Sequence, residues 1–78
     1  MQQVTIYSTP ACVYCGMAKK FFAEHNVKYN EYNVSEDSGK AEEMIEKSGQ
    51  SGVPVIEIGK KVIVGFDKQA IKEALRLK

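Results

Sequence analysis

The two cysteines of the chain, Cys12 and Cys15, are separated by two residues and are the side chains best suited to covalent chemistry. If Cys12 begins a helix, their Cα atoms lie one helical turn apart, within the roughly 4.4–6.8 Å that a disulfide requires. A cysteine in the first turn of a helix also faces unpaired N–H groups and the positive end of the helix dipole, and both favour the thiolate. The spacing therefore predicts a pair that can form and break a disulfide.

Such sites commonly lower the pKa of their first thiol to about 3.5–7.5. We predict that Cys12 is the nucleophile and that Cys15, one turn further into the helix and shielded, is the resolving thiol of a thiol–disulfide exchange. The chemistry expected of this segment is therefore redox exchange with a disulfide substrate.

Three other uses of a close cysteine pair are a zinc site within one chain, a metal site shared by two chains and a permanent disulfide. A structural zinc site ordinarily needs four ligands, and His25 is the only further candidate in one chain. Two chains could instead share an iron–sulfur cluster or a zinc ion between their Cys12 thiolates, so a dimeric metal carrier is the alternative function. A permanent disulfide around so short a loop would add little stability. We assign no residue of the single chain to a metal site.

Length and composition limit the class of protein. Seventy-eight residues predict a single domain, 1–78, and 44% hydrophobic with 27% charged residues is typical of a globular protein. Eleven Lys and Arg against ten Asp and Glu give a net charge of +1 without a basic stripe, which argues against nucleic-acid binding. No apolar run approaches the roughly 18 residues of a membrane span, and no secretion signal is evident. We expect a cytoplasmic monomer that does not bind membranes, in a compartment where a dithiol can cycle.

The apolar pattern predicts the element order β-α-β-α-β-β-α. We expect strands at 3–7, 27–34, 55–58 and 61–64 and helices at about 13–25, 39–47 and 68–77. The second strand has no clean apolar face, which places it near a sheet edge. Gly59 is expected to adopt a positive φ in the turn between the last two strands, and Asp67 to cap the last helix.

Apolar residues at helical spacing predict which sides of the helices are buried. Asn26 is predicted to end the first helix in a left-handed conformation, which leaves His25 a structural or surface residue far from Cys12. The expected buried stripes comprise Met17, Ala18, Phe21 and Phe22 in the first helix, Ala41, Met44 and Ile45 in the second, and Ala70, Ile71, Ala74 and Leu75 in the third.

The order of the elements predicts an α/β fold. A strand, a crossover helix and a parallel strand, followed by a hairpin, give a four-stranded mixed sheet flanked by three helices. The loop that carries the cysteines then lies at the carboxyl end of the first strand.

Three stretches together resemble the glutaredoxins of the thioredoxin superfamily: Tyr7-Ser8-Thr9-Pro10-Ala11-Cys12-Val13-Tyr14-Cys15, Val53-Pro54 before a hairpin, and Gly65-Phe66-Asp67. The resemblance implies a minimal thioredoxin fold and a small dithiol–disulfide oxidoreductase that reduces protein disulfides and holds no tightly bound cofactor. It implies a cis Val53–Pro54 bond, with the backbone of Val53 holding an extended substrate. The substrate groove it implies comprises Tyr14, Gln50, Val53, Pro54, Gly65 and Asp67.

Departures from the family pattern bear on the reductant. The patterns typical of glutathione-dependent members are Cys-Pro-Tyr-Cys, Thr-Val-Pro and Gly-Gly-x-Asp-Asp. This chain has Val13 in place of the proline, Gly52 in place of the threonine and Lys68 in place of the second acid. A basic residue before the cysteine loop is also missing.

Other features leave the reductant open. Asp67 could still accept the amino group of glutathione, and Gln50 could reach its glycyl carboxylate. Val13 and Gly65-Phe66 favour redoxins that a flavoprotein thioredoxin reductase reduces, whereas Tyr14 favours glutathione. Both reductants are therefore compatible with the sequence.

Overall fold

A computed structural model describes residues 3–50 and 52–76, and strand β1 (Val4–Ser8) lies at the centre of its sheet. The predicted order β-α-β-α-β-β-α is confirmed. The other elements are α1 (Val13–Glu24), β2 (Asn30–Asn33), α2 (Ser38–Ser48), β3 (Val55–Ile58), β4 (Lys61–Val64) and α3 (Lys68–Leu75).

The four strands form one mixed sheet in the order β2-β1-β3-β4. Strands β1 and β2 are parallel, whereas β3 is antiparallel to both β1 and β4. The polar strand β2 lies at an edge, as its mixed pattern predicted. In β1, Tyr7 pairs with Tyr32 on one side and Val55 on the other, so the carboxyl end of β1 lies beside the start of β3.

The helices cover both faces of the sheet, because alternate residues of each strand point to opposite sides. On one face, α1 and α3 pack against the sheet and share a large apolar core with it. We call this face the redox face because α1 follows the cysteines. On the other face, the α2 face, a smaller core of Tyr7, Met44 and Val55 packs under α2. The buried residues of the redox face are Val4, Ile6, Ala18, Phe21, Phe22, Ile56, Ile58, Ile63, Ile71 and Ala74.

Turn and cap chemistry follows the sequence closely. The carboxylate of Asp67 accepts a hydrogen bond from the N–H of Ala70 at the start of α3, which confirms it as the N-cap. Asn26, at φ 57°, follows the end of α1 in the left-handed region, and Gly59, at φ 59°, supplies the positive φ of the β3–β4 turn. His25 caps the carboxyl end of α1, where its Nδ1 lies 3.0 Å from the carbonyl oxygen of Phe21.

Two residues predicted to be buried are exposed. Met17 is 45% exposed, whereas Phe21, one turn further along α1, is buried against Phe66. Ile45 is 44% exposed because α2 buries Met44 and is otherwise tied to the sheet by charged side chains.

The second strand is shorter than the predicted 27–34. It begins at Asn30, which pairs with Thr5 of β1, and Val27 and Tyr29 instead pack against the core from the connecting loop. The predicted end of the last helix, at 77, lies outside the described residues. None of the helices within residues 3–50 and 52–76 has the length and apolar character to cross a membrane.

Candidate active site

Cys12 is the N-cap residue of α1. Its backbone is extended, with φ −87° and ψ 111°, and its Sγ accepts a hydrogen bond of 3.0 Å from the N–H of Cys15. The sulfur thus occupies the position that a serine or aspartate oxygen takes in an ordinary cap. The N–H of Cys12 donates in turn to the carbonyl oxygen of Thr9, 3.2 Å away, which folds the preceding loop into a turn.

Cys12 and Cys15 are joined by a disulfide, with their Cα atoms 5.2 Å apart. The two sulfurs differ in access, since Cys15 is 1% exposed and Cys12 is partly exposed. Val13 and Tyr14 between them turn outward and are 74% and 61% exposed. A molecule in solution therefore reaches the pair from the side of Cys12.

The cis Val53–Pro54 peptide bond lies at the same edge of the sheet as the cysteine loop. Pro54 is buried and leads directly into β3, whose first residue, Val55, pairs with Tyr7 near the end of β1. The cis geometry implied by the family resemblance is confirmed. Val53 itself is partly exposed.

Gly65 lies against the same segment. Its N–H donates to the carbonyl oxygen of Pro54 over 2.8 Å, and its φ of 79° is in the left-handed region. A Cβ built at Gly65 would meet no atom within 4 Å, so the position demands glycine for its backbone conformation rather than for space. Asp67, two residues later, is exposed, and one of its carboxylate oxygens is engaged in capping α3.

The two remaining residues of the predicted groove, Gln50 and Tyr14, are both exposed. The exposed Gln50 follows α2, where its backbone N–H and C=O both bond to the hydroxyl of Ser48. Tyr14 turns outward from the start of α1. The structure thus joins Pro54 to Gly65 and Cys12 to Cys15 by direct contacts, whereas it shows no such contact of Gln50 or Tyr14 with these residues among the hydrogen bonds of the described chain.

A cluster that the sequence analysis missed lies beneath the cysteine segment. One carboxylate oxygen of Glu31, in β2, accepts from the Ser8 hydroxyl at 3.0 Å and from the Lys19 ammonium at 2.8 Å. The Lys19 ammonium, with the Ser8 hydroxyl, holds the pKa of Glu31 below its ordinary value against the opposing effect of burial. A signal was present in the sequence, because Lys19 is the first charged side chain of the chain and lies one turn after Cys15.

Metal binding was the alternative use of the cysteines. In residues 3–50 and 52–76, no group of three or more His, Cys, Asp and Glu side chains is placed to hold a metal ion.

Comparison with known proteins identifies the family. The glutaredoxin family model matches residues 4–63, most of the chain. The chain belongs to the glutaredoxin family. A glutaredoxin-like 8.6 kDa protein from the rubredoxin operon of Clostridium pasteurianum is 42% identical over 72 residues, which cover 92% of this chain and 96% of that protein. Glutaredoxin 3 of Escherichia coli K12 is 37% identical over 67 residues, 86% of this chain and 81% of its own.

The fold is shared with solved structures. The glutaredoxin-like NrdH-redoxin of Escherichia coli, whose structure is described as the basis for a thioredoxin-like activity profile, superposes with a TM-score of 0.83 at 25% identity. The match covers 91% of this chain and 92% of that one. The predicted α/β fold of the minimal thioredoxin type is confirmed.

The family and the cysteine pair together establish the reaction class. This glutaredoxin-family chain is a small dithiol–disulfide oxidoreductase, and Cys12 and Cys15 are its redox-active pair. Its relatives imply thiol-based redox partners, of the glutathione or thioredoxin reductase kind, and disulfide substrates.

Proposed function

We propose that the chain reduces protein disulfides with Cys12 as nucleophile and Cys15 as resolving thiol. The observation that carries the proposal is the difference in access: Cys12 is partly exposed at the start of α1, whereas Cys15 is 1% exposed. The Cys15 N–H that reaches Cys12 Sγ at 3.0 Å would stabilise a thiolate there once the disulfide is reduced.

The reaction transfers two electrons to the substrate. The Cys12 thiolate attacks one sulfur of the substrate disulfide, forms a mixed disulfide and releases the other substrate sulfur as a thiolate, which takes a proton from water. Cys15 then loses its proton and attacks Cys12 Sγ. The second substrate sulfur leaves as a thiolate and is protonated, and the chain is left with the Cys12–Cys15 disulfide seen in the structure.

The groove proposed for the substrate follows the edge of the sheet beside the cysteines. The backbone of Val53 would form hydrogen bonds with an extended substrate segment, as the exposed edge of a sheet does when a peptide strand adds to it. The surface on which that segment would lie comprises Tyr14, Gln50, Pro54, Gly65 and Asp67. Its support is the Gly65–Pro54 hydrogen bond and the pairing of Val55 with Tyr7, which hold Pro54 and Gly65 near the carboxyl end of β1.

For the reductant, we propose a flavoprotein thioredoxin reductase rather than glutathione. Lys68 occupies the position at which glutathione-dependent members have a second acidic residue. Gly52, just before Val53, lacks the hydroxyl of the threonine found there in those members. The carboxylate of Asp67 is already engaged with the N–H of Ala70, which weakens it as a partner for the amino group of glutathione. The thioredoxin-like activity profile named for the NrdH-redoxin supports the same choice.

The setting proposed is the cytoplasm, because a dithiol that must return to its reduced form needs a reducing compartment. We propose a monomer whose partners are its reductase and its disulfide substrates. The nearly balanced charge gives no reason to include nucleic acid among them.

The test uses single-cysteine variants in an insulin reduction assay with thioredoxin reductase and NADPH, and in parallel with glutathione and glutathione reductase. Cys12→Ser should lose all disulfide reduction, and Cys15→Ser should accumulate a mixed disulfide that mass spectrometry detects. Wild-type turnover should be faster with thioredoxin reductase. Rapid turnover by Cys15→Ser, or activity retained by Cys12→Ser, would reverse the roles, and faster turnover with glutathione would reverse the choice of reductant.

A further inference from the structure

The Glu31 carboxylate joins the two ends of the segment that carries the cysteines. Ser8, the last residue of β1, is 1% exposed, and its hydroxyl donates to Glu31 over 3.0 Å. Lys19 of α1 donates to the same oxygen over 2.8 Å. Ser8 precedes Cys12 by four residues and Lys19 follows Cys15 by four. The side chain of Glu31 therefore links the residues on both sides of the cysteine segment.

The position of Lys19 relative to the cysteines follows from helix geometry. Four residues are just over one turn, so Lys19 lies on nearly the same side of α1 as Cys15, about 6 Å further along the axis. The buried Ser8 is in turn fixed by the sheet, because its carbonyl oxygen accepts from the N–H of Val34 at 2.9 Å. The carboxylate of Glu31 therefore connects a rigid strand end to the turn of α1 directly beneath the redox pair.

The segment that carries the cysteines has no charged side chain of its own. Residues 1–18 contain no charged side chain, so Lys19 is the first cation along the chain and Glu31 is the group that neutralises it. The other charged groups at this face include Asp67 and Lys68, which begin α3, with the Lys68 ammonium 5.9 Å from the centre of the Phe21 ring. An ion pair near a thiolate has little net field, whereas either partner alone would favour or oppose the negative sulfur.

We propose that Glu31 is a positioning residue of the redox reaction, which fixes both ends of the cysteine segment and cancels the charge of Lys19 beneath it. The inference rests on the proposed role of Cys12 as the thiolate nucleophile. By its effect on the Cys12 thiolate, Glu31 sets the equilibrium between the dithiol and the disulfide. The side chains of Lys19 and Glu31 are 33% and 40% exposed, so solvent weakens the effect without removing it.

The experiment compares Glu31→Gln, Lys19→Gln and the double variant. Two quantities are measured at low ionic strength: the pKa of the Cys12 thiol, from the ultraviolet absorbance of the thiolate, and the equilibrium with a glutathione redox buffer. Glu31→Gln leaves Lys19 unpaired, which should lower that pKa by roughly 0.3–0.5 and favour the dithiol about 2- to 3-fold. Lys19→Gln leaves the carboxylate unpaired and should shift both quantities the opposite way, and the double variant should restore the wild-type values.

The opposite signs separate this role from a merely structural one, since both single variants remove the same ion pair and would destabilise the fold alike. Glutamine retains an oxygen that can accept from Ser8, so Glu31→Gln tests the charge. Glu31→Ala also removes the link to Ser8, so it should reduce insulin 2- to 5-fold more slowly than Glu31→Gln.

The matched control is the Lys47–Glu57 ion pair, of 3.0 Å, on the α2 face. Lys47→Gln and Glu57→Gln should leave the pKa of Cys12 and the redox equilibrium unchanged. Shifts of equal sign in the two single variants, no shift in either, or equal shifts in the control pair would overturn the inference. If these occur while Cys12→Ser is inactive, the proposed function stands and only the role of Glu31 fails.

Discussion

The two faces of the sheet hold their helices by different means. On the redox face, α1 buries Ala18, Phe21 and Phe22 in a continuous apolar core that it shares with α3. On the α2 face, Met44 is the residue of α2 that the structure buries, and the rest of the attachment is polar. There the phenol of Tyr7 donates to Glu43 at 2.9 Å, and Lys47 bonds to both Glu43 and Glu57.

The difference shows where the fold places its rigidity. Apolar burial is the larger source of stability per residue, whereas partly exposed ion pairs contribute little each. The helix that positions the cysteines is therefore fixed by the stronger means. Helix α2, which leads to the loop before Val53, is attached by the weaker one, so it is the side of the molecule more sensitive to solvent conditions.

Truncation of one core residue on each face gives the largest expected effect. Phe22→Ala, at a fully buried site of the redox face, should lower the free energy of unfolding by about 3–5 kcal/mol. Met44→Ala should cost about 2–3 kcal/mol, the lower part of the range for its type, because its cluster is small and can relax. Urea denaturation measures both.

Phe22→Leu provides a variant that folds if Phe22→Ala does not, and it should cost less than about 1.5 kcal/mol. Equal losses in free energy for the two alanine variants would show that the α2 face is as firmly packed as the redox face.

Removal of one hydroxyl probes the polar attachment directly. Tyr7→Phe keeps the buried ring and loses the hydrogen bond to Glu43, so the free energy of unfolding should fall by about 1 kcal/mol. Thermal unfolding at neutral pH measures the change, and insulin reduction should be unaffected because the phenol lies on the α2 face. A loss of stability as large as that of Met44→Ala would mean that the polar contacts, rather than the small core, hold α2.

The smallest expected effect is a dependence of stability on acid. Hydrogen bonds from Tyr7, Lys40 and Lys47 lower the pKa of Glu43 to about 2 from an ordinary value of 4.5. A carboxyl whose pKa is lower in the folded state stabilises the fold above pH 4.5, and that contribution is lost as the pH falls through about 2. The free energy of unfolding of the wild-type protein should therefore decline between pH 5 and roughly pH 2, and Glu43→Gln should make that decline smaller.

The matched variant for this titration is Glu31→Gln on the redox face. Lys19 lowers the pKa of Glu31 as well, so the sign of its contribution is the same. The acid-induced decline in the free energy of unfolding should depend more on Glu43, which has three hydrogen-bond partners, than on Glu31. A greater dependence on Glu31 would place the acid-sensitive side of the fold on the redox face.

Local signals in the sequence were enough for much of the architecture. The turn at Gly59, the cap at Asp67 and the start of α1 at Cys12 are each determined by residues within one turn of one another. The edge position of β2 also followed, because its polar pattern suits an edge. Met17 and Ile45 were wrongly predicted to be buried because helical spacing defines a stripe but not how far the sheet beneath it extends.

The contacts that could not be predicted join residues distant in sequence. Glu31 meets Ser8 and Lys19 only because β1 and β2 are parallel and α1 crosses between them, and the register that aligns them is a property of the assembled sheet. Tyr7 and Glu43 are 36 residues apart and depend on the placement of α2 in the same way. At the site, the sequence predicted the cysteine pair and placed Lys19 one turn after it, whereas the contacts of Glu31 with Ser8 and Lys19 appear only in three dimensions.

The central position of β1 has a consequence for biosynthesis. Val4 pairs with Ile58, so during translation β1 lacks its antiparallel neighbour β3 until most of the polypeptide has left the ribosome. Both sulfurs are thus made long before the framework that distinguishes them. The difference in exposure between Cys12 and Cys15 therefore belongs to the folded chain and is acquired only when the sheet is complete.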